Sequence, residues 1–229
     1  MGIRGVTGPW PTRETSDRPP LTESAVIDAA LSVLDELGAD GVTMRAVADR
    51  LGVTAPTVYW HVNNKDGLID RLFDRLCGEV VYPDNALRWH DRLHALAHEI
   101  RRVLRSHRDA ARLAIGRFPL GPNGLRSTET VLGAFSDAGL NTEDAAHAAY
   151  TYFGYVTNFC YAETVSPAPA IEGTRDDALS QVRHYLSQLP TEEFPHTVAS
   201  AEALTRRGLD HRFEYGLTHI IQGLTQPHV

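Results

Sequence analysis

The chain has 229 residues, is 42% hydrophobic and 22% charged, and carries a formal net charge of -7. That length supports a sizeable core, in one large domain or in a small one joined to a larger one. No run approaches the ~18 apolar residues a membrane span needs, and the acidic balance argues against nucleic acid as a partner of the whole surface.

Splitting the chain does not reverse the sign. Residues 1–65 hold six Lys/Arg against eight Asp/Glu, so any nucleic-acid contact has to come from a locally positive face. Residues 1–20 are rich in Gly, Pro, Thr and Arg and lack the apolar stretch of a secretory signal; they read as a flexible arm. Cys77 and Cys160 stand far apart with no Cys-x-x-Cys, which fits reduced, packed thiols in a cytoplasmic protein.

Thr22 is placed to cap a first helix, in which Val26, Ile27, Ala30, Leu31, Leu34 and Leu37 recur at helical spacing and Gly38 is the stop. Thr43 caps a second, "MRAVADRL", closed by Gly52. Thr54 opens a third segment with Pro56 in its first turn, where a missing N–H costs nothing. Periodicity alone leaves "TAPTVYWHVNNKDGL" (54–68) open between strand and helix. A fourth helix runs from Lys65 towards Val81 and carries Leu68, Ile69, Leu72, Phe73 and Leu76. After a break at "YPDN" (82–85), helices are expected at 86–106, 109–115, 124–138, 142–164, 175–188 and 208–224. Breaks are expected at 116–124, 137–144, 166–174 and 189–196. No segment sustains strand alternation and no repeat is visible, so the expected fold is all-α.

The spacing within residues 44–63 is more specific. Counting from Met44, Ala48 falls fifth, Gly52 ninth and Val58 fifteenth. A helix-turn-helix needs a small residue where its helices touch, positive φ in the turn, and a branched apolar plug in the shared core. Three core helices of an enzyme would also explain the apolar positions, but not the exposed aromatics of so short a third helix. As a recognition helix entering the major groove, the segment would bring Ala55, Pro56 and Thr57 near bases, while Tyr59, Trp60 and His61 flank phosphates. Lys65 adds charge at the start of the fourth helix, and Arg45 is a contact from the second. Packing of Tyr59 against the first helix is the competing use. The candidate DNA-contacting set is Thr43, Arg45, Thr54, Ala55, Pro56, Thr57, Tyr59, Trp60, His61 and Lys65.

The run "LTESAVIDAALSVLDELGADGVTMRAVADRLGVTAPTVYWHVNNKDGLIDRL" resembles the DNA-binding domain of TetR-family transcriptional regulators. "RRVLRSHRDAARLAIG", "STETVLGAFSDAGL" and "GYVTNFCYAE" resemble the ligand-binding domain of the family's tetracycline-binding members. The resemblance covers most of residues 21–165 and extends to the final helix. It implies a flexible arm over 1–20, a helix-turn-helix domain over 21–66, and a ligand-binding and dimerisation domain over 67–229. It further implies a homodimeric repressor that reads a palindromic operator on double-stranded DNA and is released by a small-molecule effector. Ala55 replaces a base-reading glutamine, so a different operator is implied.

The same comparison implies a changed effector. Ala114 stands where a magnesium-binding histidine is expected, and Leu96, Ile100, Arg117 and Val131 replace four drug-binding residues. Glu163 keeps an acid. No cofactor and no metal are therefore expected, and the pocket reads as more apolar. Its candidate residues are His94, Leu96, Ile100, Ala114, Arg117, Phe118, Val131, Phe135, Tyr150, Phe153 and Glu163, with ordinary core packing the competing use of each aromatic. His90, His94 and His98 recur every fourth residue, a spacing that can bind metal but that fits a polar border to the stripe of Leu93, Leu96, Ala97 and Ile100; His94 or His98 could reach the pocket. For dimerisation, Ala146, Ala149 and Gly154 offer close approach, and Leu209, Phe213, Leu217, Ile220, Ile221 and Leu224 form a stripe; together they would build a four-helix bundle between subunits or serve an intrasubunit core. An all-α enzyme using a His/Glu acid–base pair is the alternative function, but no Gly-rich phosphate loop, G-x-S-x-G or metal quartet supports it. A regulator that binds no ligand stays open.

Overall fold

A computed structural model describes residues 20–165, 172–206 and 208–226. The arm expected over 1–20 lies outside them, but for Pro20, as does most of the expected 166–174 break. Helices make up the architecture, and no strand occurs among the described residues.

The first helix, α1 (Glu23–Leu37), starts where the Thr22 hydroxyl accepts the Ala25 N–H, and ends at Gly38 with φ +76°. A 3₁₀ turn (Ala39–Gly41) leads to α2 (Met44–Leu51), capped by Thr43 through the Ala46 N–H. Gly52 adopts φ +65° and α3 (Ala55–Val62) follows. Thr54 holds the cap position of α3, but its hydroxyl bonds Thr57 Oγ1 at 3.0 Å and leaves the backbone N–H groups alone; the side-chain cap expected there is absent. Val47, Ala48, Val58 and Val62 are buried together with Val26, Ala30 and Leu34 of α1. The expected strand-or-helix ambiguity of residues 54–62 is thereby settled as helix.

A tight turn separates α3 from α4 (Lys65–Cys77). Asn63 sits at φ +63°, a conformation asparagine tolerates better than most residues, and Asn64 caps α4 through the Gly67 N–H at 2.7 Å. The fourth helix ends at Cys77, short of the Val81 expected from sequence, because past Gly78 the bonds tighten to i→i−3, from Glu79 N–H to the Leu76 carbonyl and from Val80 N–H to that of Cys77.

The larger bundle comprises α5 (Trp89–Ser106), α6 (Ala110–Ala114), α7 (Pro122–Asp137), α8 (Thr142–Thr164), α9 (Arg175–Ser187), α10 (Pro195–Leu204) and α11 (Asp210–Leu224). Its core is built by Leu93 and Leu96 of α5, Val131 and Phe135 of α7, Tyr152 and Val156 of α8, and Phe213, Leu217 and Ile221 of α11. The one hydroxyl in this layer is satisfied: Tyr152 donates to the Leu93 carbonyl at 2.7 Å, as a buried polar group must. The apolar stripe of α11 is therefore spent inside the subunit, which corrects the expectation that Phe213, Leu217 and Ile221 face a second chain. Ala149 is buried likewise. Helix α10 is absent from the sequence reading, which placed a break at 189–196; it opens on Pro195 and packs mainly on α9.

Candidate DNA-binding face and ligand cavity

The outer face of the helix-turn-helix is set by what its core consumes. Val58 and Val62 turn inward from α3, which leaves Trp60 85% exposed, Tyr59 exposed, and Pro56 on the outer surface. Tyr59 and Trp60 together make a contiguous exposed aromatic patch, the kind of surface that marks an interaction site. Tyr59 is 47% exposed, so about half of its surface is open to a partner and partial packing against α1 stays compatible with that. Thr57 and His61 are half-buried, and Trp60 meets His61 edge-on with centroids 6.0 Å apart. Ala55 is half-buried against the core. Arg45 of α2 is exposed, its nearest acid Asp49 at a loose 3.9 Å. Lys65 is exposed at the start of α4, and no ion pair to it occurs among the described residues. Thr43, by contrast, is half-buried with its hydroxyl committed to the α2 cap.

A cavity of about 410 Å³ lies between α4, α5, α7 and α8 and the 114–119 segment. Phe73, Leu76, Cys77 and Val80 wall it from the α4 side, Ile100, Val103 and Leu104 from α5, and Tyr150, Phe153, Gly154, Thr157 and Asn158 from α8. Six of the eleven expected residues line it: Ile100, Ala114, Arg117, Phe118, Tyr150 and Phe153. Five do not. Leu96, Val131 and Phe135 are fully buried in the bundle core. His94 turns to α11, where Nδ1 lies 2.9 Å from Glu214 Oε1. Glu163 is held by the buried Arg101 guanidinium, with Nε at 2.9 Å. Conversely, the α4 wall, Thr157 and Asn158 were missed, and Gly154, expected at a subunit interface, belongs to the cavity.

The chemistry of the wall is mostly neutral. Burial pushes the Cys77 thiol up to about 12, so it stays protonated. Thr157 and Asn158 use donors on the Phe153 and Gly154 carbonyls and keep oxygen lone pairs for a ligand. Arg117, on the rim, pairs with Asp70 and, at 3.4 Å, with Asp66 of α4. Among the described lining residues none is His, Asp or Glu, so a metal–drug complex anchored by such groups does not fit. His98 Nε2 shares Glu214 with His94, at 2.8 Å; neither histidine reaches the cavity. Burial, then repulsion from neighbouring histidines, lowers the His94 pKa against the pull of Glu214.

Helix α4 joins the two regions. Its inner face packs on α1 and α3, with Arg71–Glu23 at 2.6 Å and Arg75–Asp28 at 3.3 Å. Asp74 accepts the Asn123 and Gly124 N–H groups at the start of α7, at 3.0 and 2.9 Å.

A helix-turn-helix unit coupled through α4 and the α5–α6 segment to a cavity-bearing bundle is the architecture of a transcriptional regulator. Comparison with known proteins makes the class specific. Residues 26–72 match the family model "Bacterial regulatory proteins, tetR family", and residues 82–227 match "Tetracyclin repressor-like, C-terminal domain". The chain belongs to the TetR family of DNA-binding transcriptional regulators. It is 36% identical to an HTH-type transcriptional regulator of Saccharopolyspora erythraea, over 80% of this chain and 78% of that one. It is 32% identical to the class A tetracycline repressor of Escherichia coli, over 90% and 91%. Streptomyces coelicolor ActR, solved in complex with actinorhodin, superimposes with a TM-score of 0.81 at 35% identity, covering 90% of this chain and 97% of that one. The enzyme alternative gives way to a family of regulators.

Proposed function

We propose that this protein is a homodimeric repressor whose operator is a palindrome and whose release follows binding of a largely apolar, aromatic effector in the 410 Å³ cavity. In this reading residues 21–66 form the DNA-binding domain and 67–229 the ligand-binding and dimerisation domain. Arg45, Thr57, Tyr59, Trp60, His61 and Lys65 meet DNA, with Thr43, Thr54, Ala55 and Pro56 shaping the same face.

The observation that carries it is the double use of α4. One side of the helix forms the cavity wall through Phe73, Leu76 and Cys77, with Val80 just past its end, and its first residue is Lys65 on the DNA-facing surface. An effector that needs a wider cavity favours a displaced α4 and with it a displaced α3. The size of the effect is set by its differential affinity for the two states, typically 5- to 150-fold, or about 1–3 kcal/mol. The apolar wall and the likeness to a structure holding actinorhodin support a flat aromatic effector. The dimer reading draws on the outward residues of α8 and α11. Tyr150 and Tyr215 are exposed there, and a Cβ at Gly154 or Gly223 would meet nothing within 4 Å.

The test is footprinting on the promoters beside the protein's own gene, with and without actinorhodin and other flat aromatic compounds. A protected palindrome that loses protection on adding effector is expected. Absence of protection at every neighbouring promoter would sink the repressor reading, and protection that no compound relieves would sink the effector reading.

A further inference from the structure

A second cavity, about 520 Å³, lies apart from the apolar pocket, between the end of α5, the α5–α6 turn, the end of α8 and the starts of α9 and α11. Five arginines and one histidine line it, against four carboxylates. What matters is which of these charges are already matched. The Arg101 guanidinium is satisfied by Glu163 and, at 2.7 Å, by Asp210. His107 lies between Asp35 and Glu79, at 2.9 and 3.0 Å. Asp109 accepts the Ala39 N–H, and Asp176 has an interaction of its own.

Among the described residues, the other four guanidinium groups have no carboxylate of their own. Among the described residues Arg108 and Arg175 donate to neutral carbonyls, that of Glu36 at 2.7 Å and those of Val165 and Ala162 at 2.6 and 3.2 Å. The nearest acid to Arg105 is Asp210 at 3.8 Å, already taken by Arg101. No acceptor for the Arg206 side chain occurs among the described residues. One helix N-terminus adds partial positive charge, since α11 begins at the cavity wall with no side-chain cap on its free N–H groups; the start of α9, also at the wall, is closed by the Thr174–Asp177 capping box. Leu104, Leu179 and Leu209 supply an apolar floor, which suits an organic anion better than a bare ion.

We propose that this cavity binds a small organic anion bearing carboxylate or phosphate groups, as a second effector distinct from the occupant of the apolar pocket. Its wall is also the segment that grips α1: His107 holds Asp35, Arg108 the Glu36 carbonyl, and Asp109 the Ala39 amide. An anion that recruits Arg108 therefore competes with the end of α1 for that guanidinium. This coupling rests on the DNA-binding reading; the binding does not.

Isothermal titration calorimetry of the full chain without DNA tests the binding itself, with citrate as the carboxylate probe and inorganic pyrophosphate as the phosphate probe, at ionic strength held constant with chloride. One site per chain is expected for at least one of them. Arg105→Gln with Arg206→Gln should weaken it by about tenfold or more, through loss of two charge-assisted contacts. Lys65→Ala, on the DNA-facing surface, should bind as wild type. Because neither arginine holds the fold, the melting temperature of the double variant should match wild type; if it falls, Arg206→Gln alone serves. Binding of neither probe, equal binding by the arginine variants, or loss of binding in Lys65→Ala would each overturn the proposal.

Discussion

Lys65→Ala separates a DNA contact from a structural one. The Lys65 side chain is exposed, and the cap of α4 is made by Asn64 without it. Alanine is also the better helix former, so the stability of the free protein should change by no more than about 0.5 kcal/mol. On DNA the cost is electrostatic. Each phosphate neutralised contributes about 0.9 to the slope of log K against log salt, and a dimer places two copies of Lys65. The slope should become shallower by about 1.8. The same counterion-release relation then gives a loss of about 60-fold at 0.1 M salt, shrinking to about 20-fold at 0.2 M. Fluorescence anisotropy of a labelled operator across that salt range reads both numbers. Trp60→Ala is the matched control, since it removes contact area without charge and should weaken binding with the slope unchanged. Equal slopes for wild type and Lys65→Ala, or a fall in melting temperature, would refute the reasoning.

Other perturbations probe the core, the domain junction and the cavity. Val58 is fully buried where α1, α2 and α3 meet, so Val58→Ala should cost about 2–3 kcal/mol, read as a lower denaturant midpoint. His107 carries a pH dependence. Its burial opposes the charged form, but the hydrogen bonds its ring N–H groups donate to Glu79 and Asp35, with the charges of those carboxylates, outweigh burial and raise its pKa above 6.5. A raised folded pKa adds stability that is fully present below pH 6.5 and is lost as pH climbs through the folded value. His107→Gln should flatten the melting temperature across that window, and an unchanged profile would remove His107 as its source. Gly154→Leu points apolar atoms into open space at the cavity wall. Effector release should weaken by about tenfold or more, on the scale of allosteric couplings; anisotropy with and without effector, at protein concentrations where sedimentation shows the same oligomeric state as wild type, decides it.

The all-α fold and the helix-turn-helix were legible because local rules fix them. Caps at Thr22 and Thr43, the left-handed Gly52 and the inward Val58 all follow from neighbours in sequence. Thr54 shows where local rules stop: two threonine hydroxyls three residues apart satisfied each other instead of the backbone. Helix α10 was missed for a related reason, since Pro190 and Pro195 read as breakers, while a proline in the first turn starts a helix as readily as it ends one.

The cavity was half legible, because its residues were chosen by type and by resemblance, whereas burial is decided by which face each helix turns inward. Phe135 and Phe153 look alike in sequence, yet one lies in the core and the other at the wall. A signal was nevertheless present in α4. Leu68 and Leu72 are fully buried four residues apart, while Phe73, Leu76 and Cys77 follow an i, i+3, i+4 pattern of their own along the cavity wall. A helix with two apolar faces has two things to pack against. In the tyrosine and glycine of α8 the ambiguity is deeper: Tyr150 and Gly154 sit where the cavity wall runs into the outward surface. A dimer built on that surface would close the cavity mouth, and effector binding and subunit association would then be linked through the same two residues.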